Sequence, residues 1–337
     1  MKGKLHLPKE EVTEIFFKIM INQLEIFAVG VGNIGYGIFL NINSSSIKHA
    51  CIPNVIRKFN GKVMTLKAID KIEDFSDIRM AYGPIYQEPV KIRRNYLKQQ
   101  YGFTCHCKFC DDEDLEAILD ASTLCSNCTE GCIPFTPKMS CLNCKAQISP
   151  QMFAKYWQIK ANLADLPQDF QRLKVASKSG YDIGANYDLK MYEDLFVQAL
   201  DIFHPFDRTF YKLSEMTKFA ICGTFDGLMN VKMESLTEKQ LNLLLKMAEI
   251  NAIKARKLLP PFVTEISLHE FEIAMIYAFL GKIDKADEAF KRYTVIERMF
   301  NAPEDNLPLT FYEELRFRRI KLEEAKKKKD YHGDVKK

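Results

Sequence analysis

The spacing of the cysteines constrains this chain more than any other feature of its sequence. Of its ten cysteines, eight lie between residues 105 and 150, in a segment with little else that could form a hydrophobic core. A segment of this kind gains stability when its side chains share a bound metal ion. The N-terminus lacks the uninterrupted apolar run of a signal peptide, so we expect reduced thiols and metal ligation rather than disulfides.

Two C-x-x-C pairs predict one metal site. The pairs "CSNC" and "CLNC" contribute Cys125, Cys128, Cys141 and Cys144. Each pair can give two thiolates to one ion, and the short loop between them closes the tetrahedron that zinc prefers. We therefore predict a zinc ribbon-like module over residues 119–150, with Cys132 as a spare thiol or an alternative ligand. A redox-active dithiol is the alternative, but it needs a thioredoxin-like βαβ context that is missing here.

The second cluster, "TCHCKFC", contributes Cys105, Cys107 and Cys110. Three thiolates on one loop can hold zinc, but a closed structural site needs a fourth ligand. His106 would point away if both of its neighbours ligate, so a more distant cysteine is favoured. The two cysteines outside the dense segment are Cys51 and Cys222. The setting of Cys222, "KFAICGTF", favours a small buried hydrophobic side chain instead.

The remaining sequence divides by the spacing of its apolar residues. Residues 10–28 have an apolar face that predicts a helix. Alternating apolar residues predict strands over Lys62–Ile69 and Asp77–Gly83. From residue 151 to about residue 330, long runs with helical spacing and few glycines predict an all-helical region.

One stretch of the helical region is similar to a known repeat unit. Gly281 separates two helical halves, and small residues such as Ala274 and Ala286 let two antiparallel helices approach closely. This pattern is typical of one tetratricopeptide unit. Because one copy is clear, an irregular helical bundle is the alternative.

The glycines Gly30, Gly32 and Gly35 match the G-x-G-x-x-G fingerprint of dinucleotide-binding folds. That fold needs a helix directly after the glycines, because the helix N-terminus holds the pyrophosphate. The sequence that follows, "YGIFLNINSSS", is rich in residues that disfavour a helix. The acidic residue expected about 20 positions later is missing as well. We interpret the glycines as turns between short strands.

The bulk charge and hydropathy argue against two classes of partner. The formal net charge of +4 is small for 337 residues, and much of the excess lies after residue 325. A charge of this size requires neither a nucleic acid nor an anionic membrane as partner. Charged and polar residues interrupt every apolar run before it could span a bilayer. We expect a monomer in the cytoplasm, the nucleus or both, with residues 331–337 as a basic tail.

In their order along the chain, these motifs resemble those of one family. "KHACIPN", then "AYG", then "YGFTCHCKFC" are similar to the SET- and MYND-domain (SMYD) lysine methyltransferases, and the resemblance extends from about Asn22 to the end. It implies an α+β fold with a partial SET β-fold and post-SET zinc site over residues 1–118. The zinc module at 119–150 and a helical tetratricopeptide-like domain at 151–330 follow. The MYND module and the N-terminal part of the SET domain, with its early Gly-x-Gly strand, are missing from the match.

The resemblance also implies roles for single residues. It makes Cys51 the fourth ligand of the zinc bound by the 105–110 cluster. It places S-adenosylmethionine on Asn22, Lys48, His49 and Phe103. Tyr82 matches the tyrosine at the mouth of the lysine channel, and Tyr101 matches a second aromatic residue lining it. The aromatic channel and the sulfonium would lower the pKa of the target amine, which must arrive neutral.

Two segments depart from the family pattern. Lys48 replaces an asparagine that contacts the cofactor, and Ala50 replaces a serine. A lysine at this position brings a positive charge close to the sulfonium unless its side chain turns away. The family's Gly-Glu-Glu reads Phe75–Asp77 here, so the backbone freedom of a glycine is lost from that turn.

These observations lead to one preferred hypothesis and two alternatives. The preferred one is a protein-lysine N-methyltransferase that uses S-adenosylmethionine, binds zinc at two sites and acts on a histone or non-histone lysine. The first alternative is a catalytically inactive SET-derived module that binds a protein or peptide, which Lys48 favours. The second is a metal-ribbon protein that binds nucleic acid; the absence of a basic stripe outside the tail argues against it.

Overall fold

The computed structural model of the chain separates into two compact units, Met1–Asp112 and Glu113–Lys337. It describes residues 8–27, 35–40, 45–60, 63–83, 86–128, 131–178, 189–223, 228, 231, 233–261, 263–300, 312–313 and 316. The predictions for Gly30, Gly32 and the tail at residues 331–337 concern positions outside this set. The domain boundaries inferred from the sequence stay a prediction.

In the first unit, short strands pair two by two and helices lie before and after them. Its elements are α1 (Lys9–Asn22), β1 (Gln23–Phe27), β2 (Gly35–Leu40), β3 (Lys48–His49), β4 (Val55–Asn60), β5 (Val63–Ala68), β6 (Arg79–Met80), α2 (Val90–Tyr101) and α3 (Lys108–Asp111). β1 with β2 and β4 with β5 are antiparallel pairs, whereas β3 and β6 run parallel. The SET fold itself stays a prediction.

The helix predicted over residues 10–28 is too long. α1 ends at Asn22, and β1 begins at the next residue and pairs with β2 from Gln23↔Leu40 onward. The sequence "QLEIF" alternates polar and apolar residues as far as Ile26, a pattern that suits a strand as well as a helix end. The pairing with β2 therefore decides the boundary. Gly35 begins β2, so the segment after the glycine motif is a strand and not the helix that a dinucleotide fold requires.

Of the two strands predicted downstream, one is confirmed and one is shorter than expected. β5 reproduces the strand at Lys62–Ile69 almost completely. The strand predicted at Asp77–Gly83 shrinks to β6, because a 3₁₀ turn occupies Phe75–Asp77. Asp74 caps that turn by accepting a hydrogen bond from the backbone N–H of Ser76 over 2.7 Å.

The second unit joins a small two-stranded segment to a helical region. Its elements are α4 (Glu113–Asp120), β7 (Ser122–Leu124), β8 (Cys132–Pro134), α5 (Pro150–Asn162), α6 (Leu166–Lys178), α7 (Leu189–Ala199), α8 (Arg208–Cys222), α9 (Glu238–Leu258), α10 (Thr264–Phe279) and α11 (Ile283–Phe300). This confirms the combination of helix and sheet and the helical C-terminal region. No helix in the described part of the chain is long and apolar enough to cross a bilayer.

The core of the second unit is centred on α10. Ala274, Met275 and Ile276 are consecutive in this helix and all are fully buried, so apolar side chains face its neighbours on every side. Ala286 on α11 is also fully buried, and Gly281 turns the chain between the two helices with a φ of 74°. The predicted helix–turn–helix is therefore present, and its kinship to a tetratricopeptide unit stays a prediction.

A buried carboxylate ties the β7–β8 segment to the helices. Asp207 is fully buried and caps α8, where its Oδ1 accepts hydrogen bonds from the backbone N–H groups of Thr209 and Phe210. Its Oδ2 accepts from the backbone N–H of Ser122 at 3.1 Å and from the Tyr156 hydroxyl at 2.7 Å. Four donors satisfy this buried acceptor group, as a buried carboxylate requires. The cysteines that follow β7 therefore start from a fixed position.

Candidate functional site

Four cysteine side chains of the first unit converge on one point. They are Cys51, Cys105, Cys107 and Cys110, and their sulfur atoms all lie within 4.8 Å of one another. The Sγ atoms of Cys51 and Cys110 are 3.4 Å apart. Four thiolates around a zinc ion, with Zn–S bonds of about 2.3 Å, would be about 3.8 Å apart. All ten cysteines are free thiols, so this group could hold a metal ion.

Local backbone structure brings the three cysteines of the 105–110 loop together. Cys107 is the N-cap residue directly before α3, and its carbonyl accepts a hydrogen bond from the backbone N–H of Cys110 over 2.8 Å. Arg94 on α2 donates to the carbonyl of Cys105 at 3.0 Å and to that of Cys110 at 3.2 Å. The loop is therefore shaped by its own turn and by one arginine. His106 is exposed and faces Asp111, 3.3 Å away, as expected if both of its neighbours ligate.

A second arginine lies next to the sulfur atoms themselves. Arg93 is fully buried, and its Nη2 lies 3.6 Å from the Sγ of Cys110. Its guanidinium also packs over the ring of Phe109, 4.5 Å from the centroid. Four thiolates and one divalent cation carry a net charge of about −2, so a buried cation at this distance offsets part of it.

Four of the residues that the resemblance singled out form one aromatic cluster, which consists of His49, Tyr82, Tyr101 and Phe103. The ring of Tyr82 is at its centre, with centroid distances of 5.1 Å to His49, 5.0 Å to Tyr101 and 6.1 Å to Phe103. All four side chains are partly buried. Rings at these distances pack against one another, and their partly exposed faces form an apolar aromatic wall.

The two tyrosines of the cluster point their hydroxyl protons at backbone oxygens. The Tyr82 hydroxyl donates to the carbonyl of Ile47 over 2.5 Å, and the Tyr101 hydroxyl donates to the carbonyl of Tyr82 over 3.2 Å. Burial raises the pKa of Tyr82 and raises that of Tyr101 to about 12, so both stay protonated at neutral pH. Because each proton is used, each phenolic oxygen can still accept a hydrogen bond.

His49 connects the aromatic cluster to the cysteines. Its Nε2 lies 3.4 Å from the Sγ of Cys51, and its Nδ1 accepts a hydrogen bond from the backbone N–H of Tyr82 over 3.2 Å. Burial lowers the pKa of His49 to about 4, which keeps the imidazole neutral. The predicted cofactor residue thus uses both ring nitrogens within the protein.

Two predicted cofactor residues have no contact with the aromatic cluster among the described contacts. Asn22 ends α1, and its side-chain amide donates to the carbonyl of Lys18 in the same helix over 2.8 Å. The side chain of Lys48 is exposed, although the residue immediately precedes His49 in β3. The roles of both residues stay predictions.

The second cysteine group lies in the second unit and has the geometry that the two C-x-x-C pairs predict. Its members are Cys125, Cys128, Cys141 and Cys144, and again all the sulfur atoms lie within 4.8 Å of one another. Cys125 is 3.6 Å from Cys144, and Cys128 is 3.6 Å from Cys141. The backbone N–H of Ala146 lowers the pKa of Cys144 to about 6, which favours the thiolate form that binds metal. This group could therefore hold a second metal ion.

Three residues that contact the second cysteine group are not indicated by the motif analysis of the sequence: Gly131, Asn127 and Asn143. A Cβ added to Gly131 would clash with the Sγ of Cys128 and lie 2.6 Å from the Sγ of Cys141. The side-chain amides of Asn127 and Asn143 donate to cysteine sulfurs. A sequence signal for the asparagines exists, because each C-x-x-C pair has asparagine at its third position. No sequence signal indicates that residue 131 must be glycine, because this requirement depends on how close the cysteine side chains lie in the folded protein.

Comparison with known proteins finds relatives over part of the chain, whereas no protein-family model matches it. The histone-lysine N-methyltransferase SMYD3 of Homo sapiens is 30% identical over 110 residues, 33% of this chain and 25% of that protein. The N-lysine methyltransferase SMYD2 of Homo sapiens is 25% identical over 105 residues, 31% of this chain and 24% of that protein. A SET and MYND domain-containing protein of Dictyostelium discoideum is 32% identical over 99 residues, 29% of this chain and 23% of that protein. The chain is therefore related to the SET- and MYND-domain (SMYD) proteins over about a third of its length, and the matched part spans about a quarter of each of these relatives.

Proposed function

We propose that this chain carries the site of an S-adenosylmethionine-dependent protein-lysine N-methyltransferase of the SMYD type. The observation that carries the proposal is the pair of phenolic oxygens of Tyr82 and Tyr101, whose hydroxyl groups both donate a hydrogen bond to a backbone carbonyl. Two acceptors on an apolar aromatic wall suit a group that presents several N–H bonds, and a lysine amine is such a group. The relationship to the lysine methyltransferases SMYD2 and SMYD3 supports the same substrate class.

The chemistry asked of these residues is mainly alignment. S-adenosylmethionine, when bound, supplies the activated methyl group, and we propose Asn22, Lys48, His49 and Phe103 as its contacts. The tyrosine oxygens would accept hydrogen bonds from the N–H groups of the incoming amine and so direct its lone pair toward the methyl carbon. Both tyrosines keep their protons at neutral pH, so neither serves as the base. Desolvation beside the aromatic wall would instead lower the amine pKa from about 10.4.

We further propose that each of the two cysteine groups binds one zinc ion with a structural role. The ligand atoms are sulfur, which zinc accepts well, and four protein ligands leave no coordination position for substrate. The first zinc would fix Cys51, and with it the neighbouring His49, relative to the loop at residues 105–110. The second would stabilise the segment between Cys125 and Cys144. As a thiol-dependent protein with a protein substrate, the chain is expected in the cytoplasm, the nucleus or both.

A second candidate function has an observation of its own. Lys48 stands where the family has a cofactor-binding asparagine, and its positive charge would repel a sulfonium close by. Its side chain is exposed, which is compatible with either function. On this alternative the chain is a catalytically inactive module that binds a protein or peptide.

Calorimetric titration with S-adenosylmethionine, on protein that contains its full zinc complement, separates the two candidates. Binding, followed by transfer of a tritiated methyl group to histones or to a pool of non-histone proteins, is expected of the enzyme. Absence of heat at millimolar cofactor, with zinc retained, would refute the methyltransferase and favour the binding module. Binding gained only by Lys48→Asn would identify this residue as the cause.

A variant pair tests the role of the tyrosine oxygens. Tyr82→Phe is expected to lower the methyl-transfer rate by about 10²-fold, because an aligned acceptor is lost while the ring remains. Tyr277→Phe is the matched control, since its hydroxyl also donates a hydrogen bond within the protein, to the side chain of Glu249 in the second unit. Equal rates for the two variants would contradict the role proposed for Tyr82.

A further inference from the structure

The ring of His49, in the aromatic cluster, makes one polar contact through each of its two nitrogen atoms. Its Nε2 lies 3.4 Å from the Sγ of Cys51. Its Nδ1 lies 3.2 Å from the backbone nitrogen of Tyr82. His49 is two residues from Cys51 and 33 residues from Tyr82, so its ring joins parts of the polypeptide that are distant in sequence.

The two bonds fix the position of the imidazole proton. A backbone N–H can only donate, so Nδ1 must accept with its lone pair. In a neutral imidazole the single ring proton is then on Nε2, where it points at the Cys51 sulfur. A metal-bound thiolate is a good acceptor for that proton. Metal binding at Cys51 and the orientation of the ring therefore support each other.

The backbone around Tyr82 shows why such a bond matters. β3 and β6 are paired at Lys48↔Arg79 and His49↔Met80, and the ladder ends there. Asn54 reinforces it, because its Oδ1 accepts from the backbone N–H of Arg79 at 2.7 Å. Beyond Met80 the strand pairing no longer holds the chain. Among the described contacts, the next backbone N–H after Met80 that donates a hydrogen bond is that of Tyr82, and its acceptor is the ring of His49.

We propose that His49 is a positioning residue whose ring ties the metal-bound thiolate of Cys51 to the backbone of Tyr82, so that the metal site sets the place of this tyrosine. The catalytic meaning of the link rests on the proposed function, but the link itself does not. It gives the first metal ion a role beyond closing its own loop. It also gives the histidine a role distinct from contact with the cofactor.

A direct test uses the unaltered chain loaded with ¹¹³Cd in place of zinc. A hydrogen bond from His49 Nε2–H to a metal-bound sulfur is expected to give a scalar coupling between the cadmium nucleus and that ring proton. The assignment is secured by loss of the signal in His49→Asn. Absence of the coupling, in protein that binds two cadmium ions, would overturn the proposal.

Two variants of His49 separate the ends of the link. His49→Gln keeps a donor near the place of Nε2 and loses the acceptor for Tyr82. His49→Asn keeps an acceptor near the place of Nδ1 and loses the donor to Cys51. We expect His49→Gln to speed amide exchange at Tyr82 by about fivefold, the effect of one lost hydrogen bond. We expect His49→Asn to shift the thiolate-to-metal charge-transfer band of the cobalt-loaded protein. It should also speed exchange at Tyr82, but by less than His49→Gln does, because the acceptor remains while its anchor at the sulfur is lost.

Arg93→Lys is the matched control for a disturbed metal site. Arg93 contacts the sulfur of Cys110 and has no bond to Tyr82 among those described, so the control should change the cobalt spectrum and leave exchange at Tyr82 unchanged. Equal exchange at Tyr82 in all three variants would overturn the link. These measurements need no cofactor. A negative titration with S-adenosylmethionine would therefore refute the proposed enzyme but not the link. Equal exchange at Tyr82 in the three variants would refute the link but not the enzyme.

Discussion

Asn127 lies in one C-x-x-C pair, and its side-chain amide donates a hydrogen bond to the Sγ of Cys144 in the other pair, 3.6 Å away. Asn143 makes the reciprocal bond, from the second pair to the Sγ of Cys128, over 3.8 Å. Each pair thus helps to orient a sulfur of its partner. Donors in this outer layer commonly stabilise thiolate and ligand geometry together.

Removing both amides should weaken the second metal site. For Asn127→Ala with Asn143→Ala we expect metal affinity at that site to fall by about 10- to 100-fold, the usual effect of lost outer-layer partners. Competition with a chromogenic chelator measures the affinity. Ser126→Ala, an exposed position in the same pair, is the control and should leave the affinity unchanged. Equal affinity in the double variant and the control would show that the reciprocal amides contribute nothing.

Gly131 should tolerate no side chain. A methyl group there would overlap Cys128 and approach the Cβ of Cys125 and the Sγ of Cys141 to 2.6 Å each, closer than real contacts allow. We expect Gly131→Ala to reduce bound zinc from about two to about one ion per chain, by plasma emission spectrometry.

The control for this change is Gly223→Ala in the same unit. Gly223 is the C-cap residue directly after α8 and has a φ of 71°, and an added Cβ would meet nothing within 4 Å. It should cost about 1 kcal/mol of stability through backbone strain and keep both zinc ions. Two zinc ions in Gly131→Ala would show that the segment can shift to make room.

Cys51 should be needed for the first metal ion although it is more than 50 residues away in sequence from Cys105, Cys107 and Cys110. We expect Cys51→Ser to lower the zinc content from about two to about one ion per chain and to increase amide exchange across residues 51–110. Cys222→Ser is the control, since Cys222 lies at the end of α8 in the other unit. A Cys51→Ser protein with two zinc ions and unchanged exchange would exclude this cysteine as a ligand.

Lys254 should be a source of instability. It is 2% exposed, and its ammonium lies 4.6 Å over the ring of Tyr211 without a hydrogen-bond partner among the described residues. Burial lowers its pKa to about 7, below the usual value of about 10.4. We expect Lys254→Met to raise the free energy of unfolding at pH 6 by roughly 1–3 kcal/mol, measured in urea.

The pH dependence of this effect has a definite sign. Between about pH 7 and pH 10.4 the unfolded chain holds the lysine proton and the folded chain has lost it, so the original protein gains stability as pH rises. The advantage of Lys254→Met should therefore be largest below pH 7 and fade toward pH 10.4. Lys246→Met, at an exposed position on the same helix, is the control. A destabilised Lys254→Met protein would show that the ammonium has a stabilising partner.

Local patterns in the sequence identified the cysteines, because the spacing of Cys105 to Cys110 and of the two C-x-x-C pairs is a property of short loops. The strand β5 was readable for the same reason, since its alternation is local. The end of α1 was not, because the start of β1 is decided by pairing with β2. Local periodicity therefore predicts a helix or strand correctly where no pairing with a distant segment decides its bounds.

The contacts around His49 could not be predicted from the residue types and their spacing alone. The parallel pairing of β3 with β6 joins segments about 30 residues apart, and nothing in either two-residue strand indicates the other. Only the resemblance to a family linked His49 with Tyr82 and Phe103, and it did not indicate the contact of His49 with the sulfur of Cys51. The burial of Arg93 beside Cys110 is likewise a property of the folded unit, since "KIRRNYL" reads as an exposed helix.

Exposure differs between the two cysteine groups. Cys144 is open to solvent, whereas Cys51, Cys105 and Cys110 are all at most 5% exposed. Peroxide and other small oxidants reach an accessible thiolate first, and a sulfenylated cysteine no longer holds its ion. If each group binds zinc as proposed, oxidation would thus release the ion of the group that contains Cys144 before the ion held by Cys51, Cys105 and Cys110.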